Sequence, residues 1–246
     1  MRCPRLFRRT IAAYAAAIAA SLVVFAVYPV TSSGLRVPLP ALDTARFSPD
    51  PAVTRDGGAL FVGRLLPHKG VDDLIGGVPP DLPLTIAGPR PDDITRVRLE
   101  ASARGKDVTF RYDLTDEALV HEYRRALCVV LPSVYRMPAG ETKVPELLGQ
   151  TLLEGMACGA AALCTRVASM PEVVDDGVTG FVVPPNDPAA IGERLAWLAR
   201  HRQQAALMGA AGRERVLRHF TWDAVVARCL TAYGTGDPDA RVGAAA

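Results

Sequence analysis

Two carboxylates, Glu146 and Glu154, lie within the stretch VPELLGQTLLEGMACG, residues 144–159, on either side of a glycine turn and a helix start. Gly149 allows the backbone to turn tightly where a side chain would crowd a ligand. Beyond it, Leu152, Leu153, Met156 and Ala157 recur at spacings of three and four, which predicts a helix over 150–158. A helix start carries unpaired N–H groups and partial positive charge, so it suits a phosphate. A carboxylate on each side of such a start can accept hydrogen bonds from sugar hydroxyls. Together these features read as a nucleotide-sugar site. An ordinary helix with a surface glutamate at each end reads equally well from these residues alone, because helix starts attract glutamate.

A second cluster follows the apolar run ALFVG (59–63), where R-L-L-P-H-K-G places Arg64 and Lys69 in one loop between Gly63 and Gly70. A diphosphate calls for this pair: the guanidinium forks onto two oxygens and the ammonium acts as a point charge. A solvated basic loop is the competing reading; the flanking glycines and the strand-end position favour phosphate. His68 reads as an exposed loop histidine. The chain has no G-x-x-x-x-G-K-[ST], no G-x-G-x-x-G and no G-x-S-x-G, so ATPase, dinucleotide oxidoreductase and serine hydrolase chemistry lose their best support.

Composition narrows the field further. The 246 residues suffice for one large domain or one and a half small ones, and 49% hydrophobic against 22% charged content is globular. A net charge of +2, with few aromatics, gives nucleic-acid binding no support. Cys3, Cys128, Cys158, Cys164 and Cys229 form no C-x-x-C pair and read as reduced thiols of a cytosolic protein. The four histidines are scattered without metal-ligand spacing, and the Asp237/Asp239 pair lies in a Pro/Gly-rich tail, so no metal site is expected.

Several elements must position these residues. Arg2, Arg5, Arg8 and Arg9 precede an uncharged segment, 10–35. That pattern fits a signal peptide or membrane anchor; the favoured alternative is an alanine-rich helix over 9–20 and a strand over 22–28. Residues 37–56, with Pro38, Pro40, Pro49 and Pro51, read as an extended linker, and a compact domain is expected from Gly57. From there short apolar strands (59–63, 82–88, 108–112, 127–131, 160–164, 180–183) alternate with helices (71–75, 93–103, 115–126, 150–158), and three further helices follow (188–201, 202–218, 221–233). Such alternation predicts a parallel sheet covered on both faces, with ligands beyond the carboxyl ends of its strands.

The ordered set LFVGRLLPHKGVDDLI, LTIAGP, VVLPS, PELLGQTLLEGMACGAA, PEVVDDGVTGFVVPPND and FTWDAVV, spanning about residues 57–233, resembles the carboxyl-terminal, donor-binding half of a GT-B retaining glycosyltransferase of family 4 ("group 1"). VPLPALDTARFSP (37–49) is similar to that family's interdomain segment, with Asp43 and Phe47 as its D-x-x-x-F run. The resemblance implies an α/β fold: one GT-B half with a Rossmann-like parallel sheet and helices on both faces. An N-terminal helix/strand remnant (1–56) would precede it, and a disordered tail (234–246) would follow its C-terminal helices. It further implies transfer of a hexose from a nucleotide-diphosphate-sugar to a carbohydrate or lipid-linked acceptor, with no cofactor beyond that donor and no metal. Arg64 and Lys69 would hold the diphosphate and neutralise the leaving group, and Glu146 would contact the transferred sugar. Glu154 would bind the donor ribose, and Gly149, Gln150, Thr151 and Leu152 would present backbone to the phosphates. The competing implication is a non-catalytic nucleotide-sugar-binding module, or a truncated partner subunit working with a separate N-terminal half. A cytoplasmic location is expected, with membrane association through 10–35 as the alternative. The chain departs from the family pattern at Gln150, usually apolar, and at Gly155, usually alanine; Gly155 is expected to weaken the helix by under about 1 kcal/mol.

Overall fold

A computed structural model describes residues 41–135 and 149–232 of the chain. The expected N-terminal helix and strand, Glu146 and the 234–246 tail lie outside the described residues. Six short strands form the sheet: β1 (Ala59–Val62), β2 (Leu84–Gly88), β3 (Val108–Tyr112), β4 (Cys128–Leu131), β5 (Ala161–Thr165) and β6 (Gly180–Val183). All pair in parallel, in the order β3-β2-β1-β4-β5-β6. This is the Rossmann-like α/β arrangement expected from the alternating pattern. β1, β4, β5 and β6 are buried along their whole length, which explains their apolar runs without alternation.

The helices are α1 (Val71–Gly77), α2 (Asp93–Ser102), α3 (Asp116–Arg125), α4 (Gln150–Ala157), α5 (Met170–Val173), α6 (Pro188–Arg200), α7 (Arg202–His219) and α8 (Trp222–Ala232). Local chemistry starts several of them. Asp92 accepts a hydrogen bond from the Thr95 amide at 2.9 Å, Thr115 from Ala118 at 3.3 Å and Asp187 from Ala190 at 2.9 Å, each an N-cap that satisfies an otherwise unpaired donor. Both sheet faces are covered. Register puts Leu60, Thr85, Val129 and Ala162 on one face, where α4 packs through Gly155 against Val129. Phe61, Ile86, Leu163 and Phe181 share the other, where Trp197 of α6 meets Phe181 edge-on at 5.2 Å. Cys128, Cys158 and Cys164 are free thiols in this core, and burial pushes them up to about 12, 11 and 12.

Residues 41–56 do not run as an extended linker. They pack on the sheet domain, and the described residues up to 227 form one compact unit. Leu42 and Phe47 are buried, and the Leu42 amide donates to the Phe220 carbonyl at 2.8 Å. Arg55 donates through Nη1 to the Ala126 carbonyl at 2.5 Å and through Nη2 to the Cys158 carbonyl at 2.7 Å. Those carbonyls close the carboxyl ends of α3 and α4, where a cation also meets the negative end of the helix dipole. Proline content erases local periodicity, and the partners that bury this segment are remote in the chain.

Gly155 also departs from expectation. A Cβ there would lie 2.5 Å from Val129 Cγ1, so the glycine is what lets α4 lie against β4. Gly155→Ala therefore costs about 1–3 kcal/mol by overpacking, outweighing alanine's better helix propensity. Urea denaturation checks this, and Val129→Ala in the same chain restores part of the loss.

Candidate functional site

The central strands β1 and β4 are adjacent in the sheet but remote in sequence. From β1 the chain crosses toward β2, and from β4 it crosses the opposite way toward β5. The loops leaving their carboxyl ends therefore part and open a crevice, the usual ligand position of such sheets. The Arg64/Lys69 loop and the start of α4 sit on this edge.

After β1 the chain turns at Gly63, whose amide donates to the Ala87 carbonyl at 3.0 Å. Arg64 is exposed at the start of the loop. Pro67–Lys69 then form a single 3-10 turn, with Lys69 half-buried, and the turn ends at Gly70 in the left-handed region (φ 67). A Cβ on Gly70 would fall 1.9 Å from the Pro132 carbonyl oxygen. The loop that carries both cations thus lies directly on the segment leaving β4, and the Val134 amide donates to the His68 carbonyl at 2.9 Å.

The segment after β4 is tied on its other side to β5. Thr165 Oγ1 donates to the Ser133 carbonyl at 2.5 Å, and the Ala168 amide donates to the Tyr135 hydroxyl at 2.6 Å. The chain is next described at Gly149, which caps α4 in the left-handed conformation (φ 59). Among the described residues no side chain caps α4 and its first turn holds no acidic residue; the Leu152 amide turns back to the Gly149 carbonyl at 2.9 Å, which leaves the Gln150 and Thr151 amides as the leading N–H groups at the edge. Two hydroxyls at this edge are buried without a hydrogen-bond partner among the described residues: Ser133 Oγ, two residues past β4, and Thr151 Oγ1, in the first turn of α4. An orphan hydroxyl is costly to bury, which makes each a natural donor to a bound anion.

Glu154 lies one turn into α4, about 6 Å from its start. It is half-buried, and the hydroxyl of the fully buried Tyr123 of α3 donates to its Oε2 at 2.6 Å. Burial pushes the Glu154 carboxyl above its ordinary value, opposed by hydrogen bonding from Tyr123 and Gln150 and by the charge of Arg46. Burial, together with the neighbouring Glu154 charge, holds the Tyr123 phenol well above its usual range. Arg111 belongs to another cluster: it bonds the buried Glu122 at 2.7 Å.

Of the expected site residues, Arg64, Lys69, Gly149, Gln150, Thr151 and Leu152 share the carboxyl edge, Glu154 lies just below it, and Glu146 falls outside the described residues. Ser133 and Tyr123 escaped the sequence reading. Ser133 stands inside VVLPS and had a positional signal, whereas Tyr123 is 31 residues from the carboxylate it meets and had none. Among the described residues no group of His, Cys, Asp and Glu could hold a metal ion, and no helix is long and apolar enough to cross a membrane.

Residues 48–215 match the family described as glycosyl transferases group 1. The chain is 35% identical over 201 residues to a GDP-mannose-dependent alpha-(1-6)-phosphatidylinositol monomannoside mannosyltransferase of Mycolicibacterium smegmatis, covering 74% of this chain and 52% of that one. It thus spans about half the length of the curated relatives it matches. Among solved structures it is similar to sucrose-phosphate synthase from Thermosynechococcus elongatus, with a TM-score of 0.66 and 26% identity over 81% of this chain and 52% of that one. It also shares the fold of the C-terminal domain of a glycosyl transferase group 1 family protein from Francisella tularensis, with a TM-score of 0.61 and 20% identity over 74% of this chain and all of that one.

The raised Glu154 carboxyl has a pH consequence. The folded state holds this proton to higher pH than the unfolded chain does, so its contribution to stability is full below the ordinary carboxyl pKa of 4.5 and is lost as pH rises through the folded value. The melting temperature of the native chain relative to Glu154→Gln should accordingly fall between pH 4 and neutrality. A difference that stays constant or rises over that range would contradict the burial argument.

Proposed function

The chain belongs to the glycosyl transferases group 1 family, and we propose that it is the donor-binding part of a retaining, nucleotide-sugar-dependent hexosyltransferase. The observation that carries the reading is the carboxyl edge at β1 and β4, where the Arg64/Lys69 loop is packed on the segment leaving β4 and α4 starts at a glycine with no side-chain cap among the described residues. In this reading the donor diphosphate lies across the edge. Arg64 forks onto its oxygens, Lys69 adds a point charge, and the N–H groups of Gln150 and Thr151 face the phosphate at the positive end of α4, whereas the Leu152 amide donates to the Gly149 carbonyl at 2.9 Å and is taken out of the phosphate's reach. The hydroxyls of Ser133 and Thr151 would complete their hydrogen bonding there. Glu154, one turn lower, accepts from the ribose hydroxyls, and Glu146 contacts the transferred sugar.

The residues assist bond cleavage electrostatically. As the anomeric carbon–oxygen bond breaks, negative charge collects on the departing diphosphate, and fixed cations and N–H groups stabilise that charge without reorganising. The hexose passes with retained configuration to a carbohydrate or lipid-linked acceptor, with no metal or additional cofactor in the reading. GDP-mannose is the first donor to test, because the M. smegmatis relative is named as GDP-mannose-dependent.

Transfer from labelled GDP-mannose, UDP-glucose and ADP-glucose to membrane lipid and oligosaccharide acceptors tests the proposal, with and without a candidate amino-terminal half added. Lys69→Ala and Glu146→Gln should each lower transfer about 10²–10³-fold while leaving the melting temperature near that of the native chain. Unchanged transfer in either variant removes that residue from the reading. Calorimetric binding of donor without any transfer favours the alternative of a nucleotide-sugar-binding module.

A further inference from the structure

Tyr123 is among the largest fully buried side chains, yet its hydroxyl ends on a carboxylate that is itself only partly buried. At 2.6 Å the contact is a short, charge-assisted hydrogen bond. The ring is held from behind by Phe47, edge-on at 5.9 Å and 77°. Phe47 is held in its turn by a local Asp43 turn. Asp43 Oδ1 accepts from the amides of Ala45 at 3.0 Å and Arg46 at 3.1 Å, and the Asp43 carbonyl accepts from the Phe47 amide at 3.0 Å. The D-x-x-x-F run thus has a physical role: it makes a turn that presses one aromatic ring onto another, and the second ring grips Glu154.

We infer that Tyr123 is a positioning residue for the donor's ribose: it fixes the Glu154 carboxylate in one orientation, and Phe47 fixes Tyr123. This rests on the reading above in which Glu154 takes the ribose. A glutamate on a helix has several staggered rotamers available. A hydroxyl anchored in the core selects one of them before ligand arrives, so the ribose does not bear the cost of ordering the side chain. Tyr123 uses one acceptor position on Oε2, and an ionised carboxylate has about four, which leaves others for the vicinal 2′- and 3′-hydroxyls. A tyrosine acting as core filling alone would affect every ligand equally. A positioning tyrosine affects only ligands that carry those hydroxyls.

The full chain is titrated calorimetrically with GDP, UDP and ADP, and the tightest of the three is compared with its 2′,3′-dideoxy counterpart. The native chain should prefer the ribonucleotide by about tenfold or more, and Glu154→Gln should abolish most of that preference. Tyr123→Phe, which keeps the ring, should lower the preference at least about threefold while dideoxynucleotide affinity stays unchanged. If Tyr123→Phe keeps the native preference while Glu154→Gln abolishes it, the inference fails and the ribose assignment stands. If Tyr123→Phe weakens both ligands equally, the tyrosine is scaffold only and the inference also fails. If the native chain shows no preference, or binds none of the three nucleotides, the ribose assignment fails and the inference falls with it.

Discussion

The site depends on how closely the segment leaving β1 approaches its neighbours, the segment leaving β4 on one side and the end of β2 on the other. Gly70 meets the Pro132 carbonyl where a Cβ would sit 1.9 Å from its oxygen, and Gly88 meets the Gly63 carbonyl with 2.1 Å between a Cβ and that oxygen. No side chain larger than hydrogen fits at either place, and Gly70 also takes a left-handed φ that other residues resist. The two cations are therefore carried by a loop whose path backbone contact dictates. A parallel sheet supplies the coarse position, a crevice where successive crossovers diverge; these contacts refine it to the scale a phosphate requires.

The polar groups of the domain follow a consistent economy. Away from the β1/β4 edge, Arg55 closes two helix ends, Arg111 meets the buried Glu122, and Arg215 joins Val173, Asp175 and Glu172. At the edge the economy is broken: among the described residues the Ser133 and Thr151 hydroxyls lack partners and α4 starts without a side-chain cap. Local rules broken together at one place are where function is expected. Tyr112, at the end of β3, carries a third buried hydroxyl without a partner among the described residues, and nothing in the structure explains it.

The Asp43–Phe47 turn shows how a segment with no periodic signal acquires a role. Its prolines and polar residues give neither helix nor strand, yet it places Phe47 on Tyr123, Arg46 within the field of Glu154 and Arg55 on two helix ends.

Much of the fold was legible in the order of residues alone. Short runs, most of them apolar and several closed by glycine or proline, predicted all six strands to within two residues at either end, because buried parallel strands need little more than apolar length. Helix starts are marked by residues whose action is local: Asp92 and Thr115 cap amides three positions away. Arg64, Lys69 and Glu154 could be singled out because charge beside glycine at a strand or helix end is a pattern of near neighbours. Three things required the tertiary structure. Residues 41–56 pack because their partners are Phe220, Tyr123, Ala126 and Cys158, all distant in sequence. Gly155 is required by Val129 of the neighbouring strand, although helix propensity alone argues for alanine. Tyr123 meets Glu154 because α3 and α4 pack side by side. The sequence alone marked candidate binding residues and, to within about two positions, where each strand begins, since both signals are local. Which of them meet was decided by packing between remote segments, since a contact across the sheet leaves no spacing in the chain.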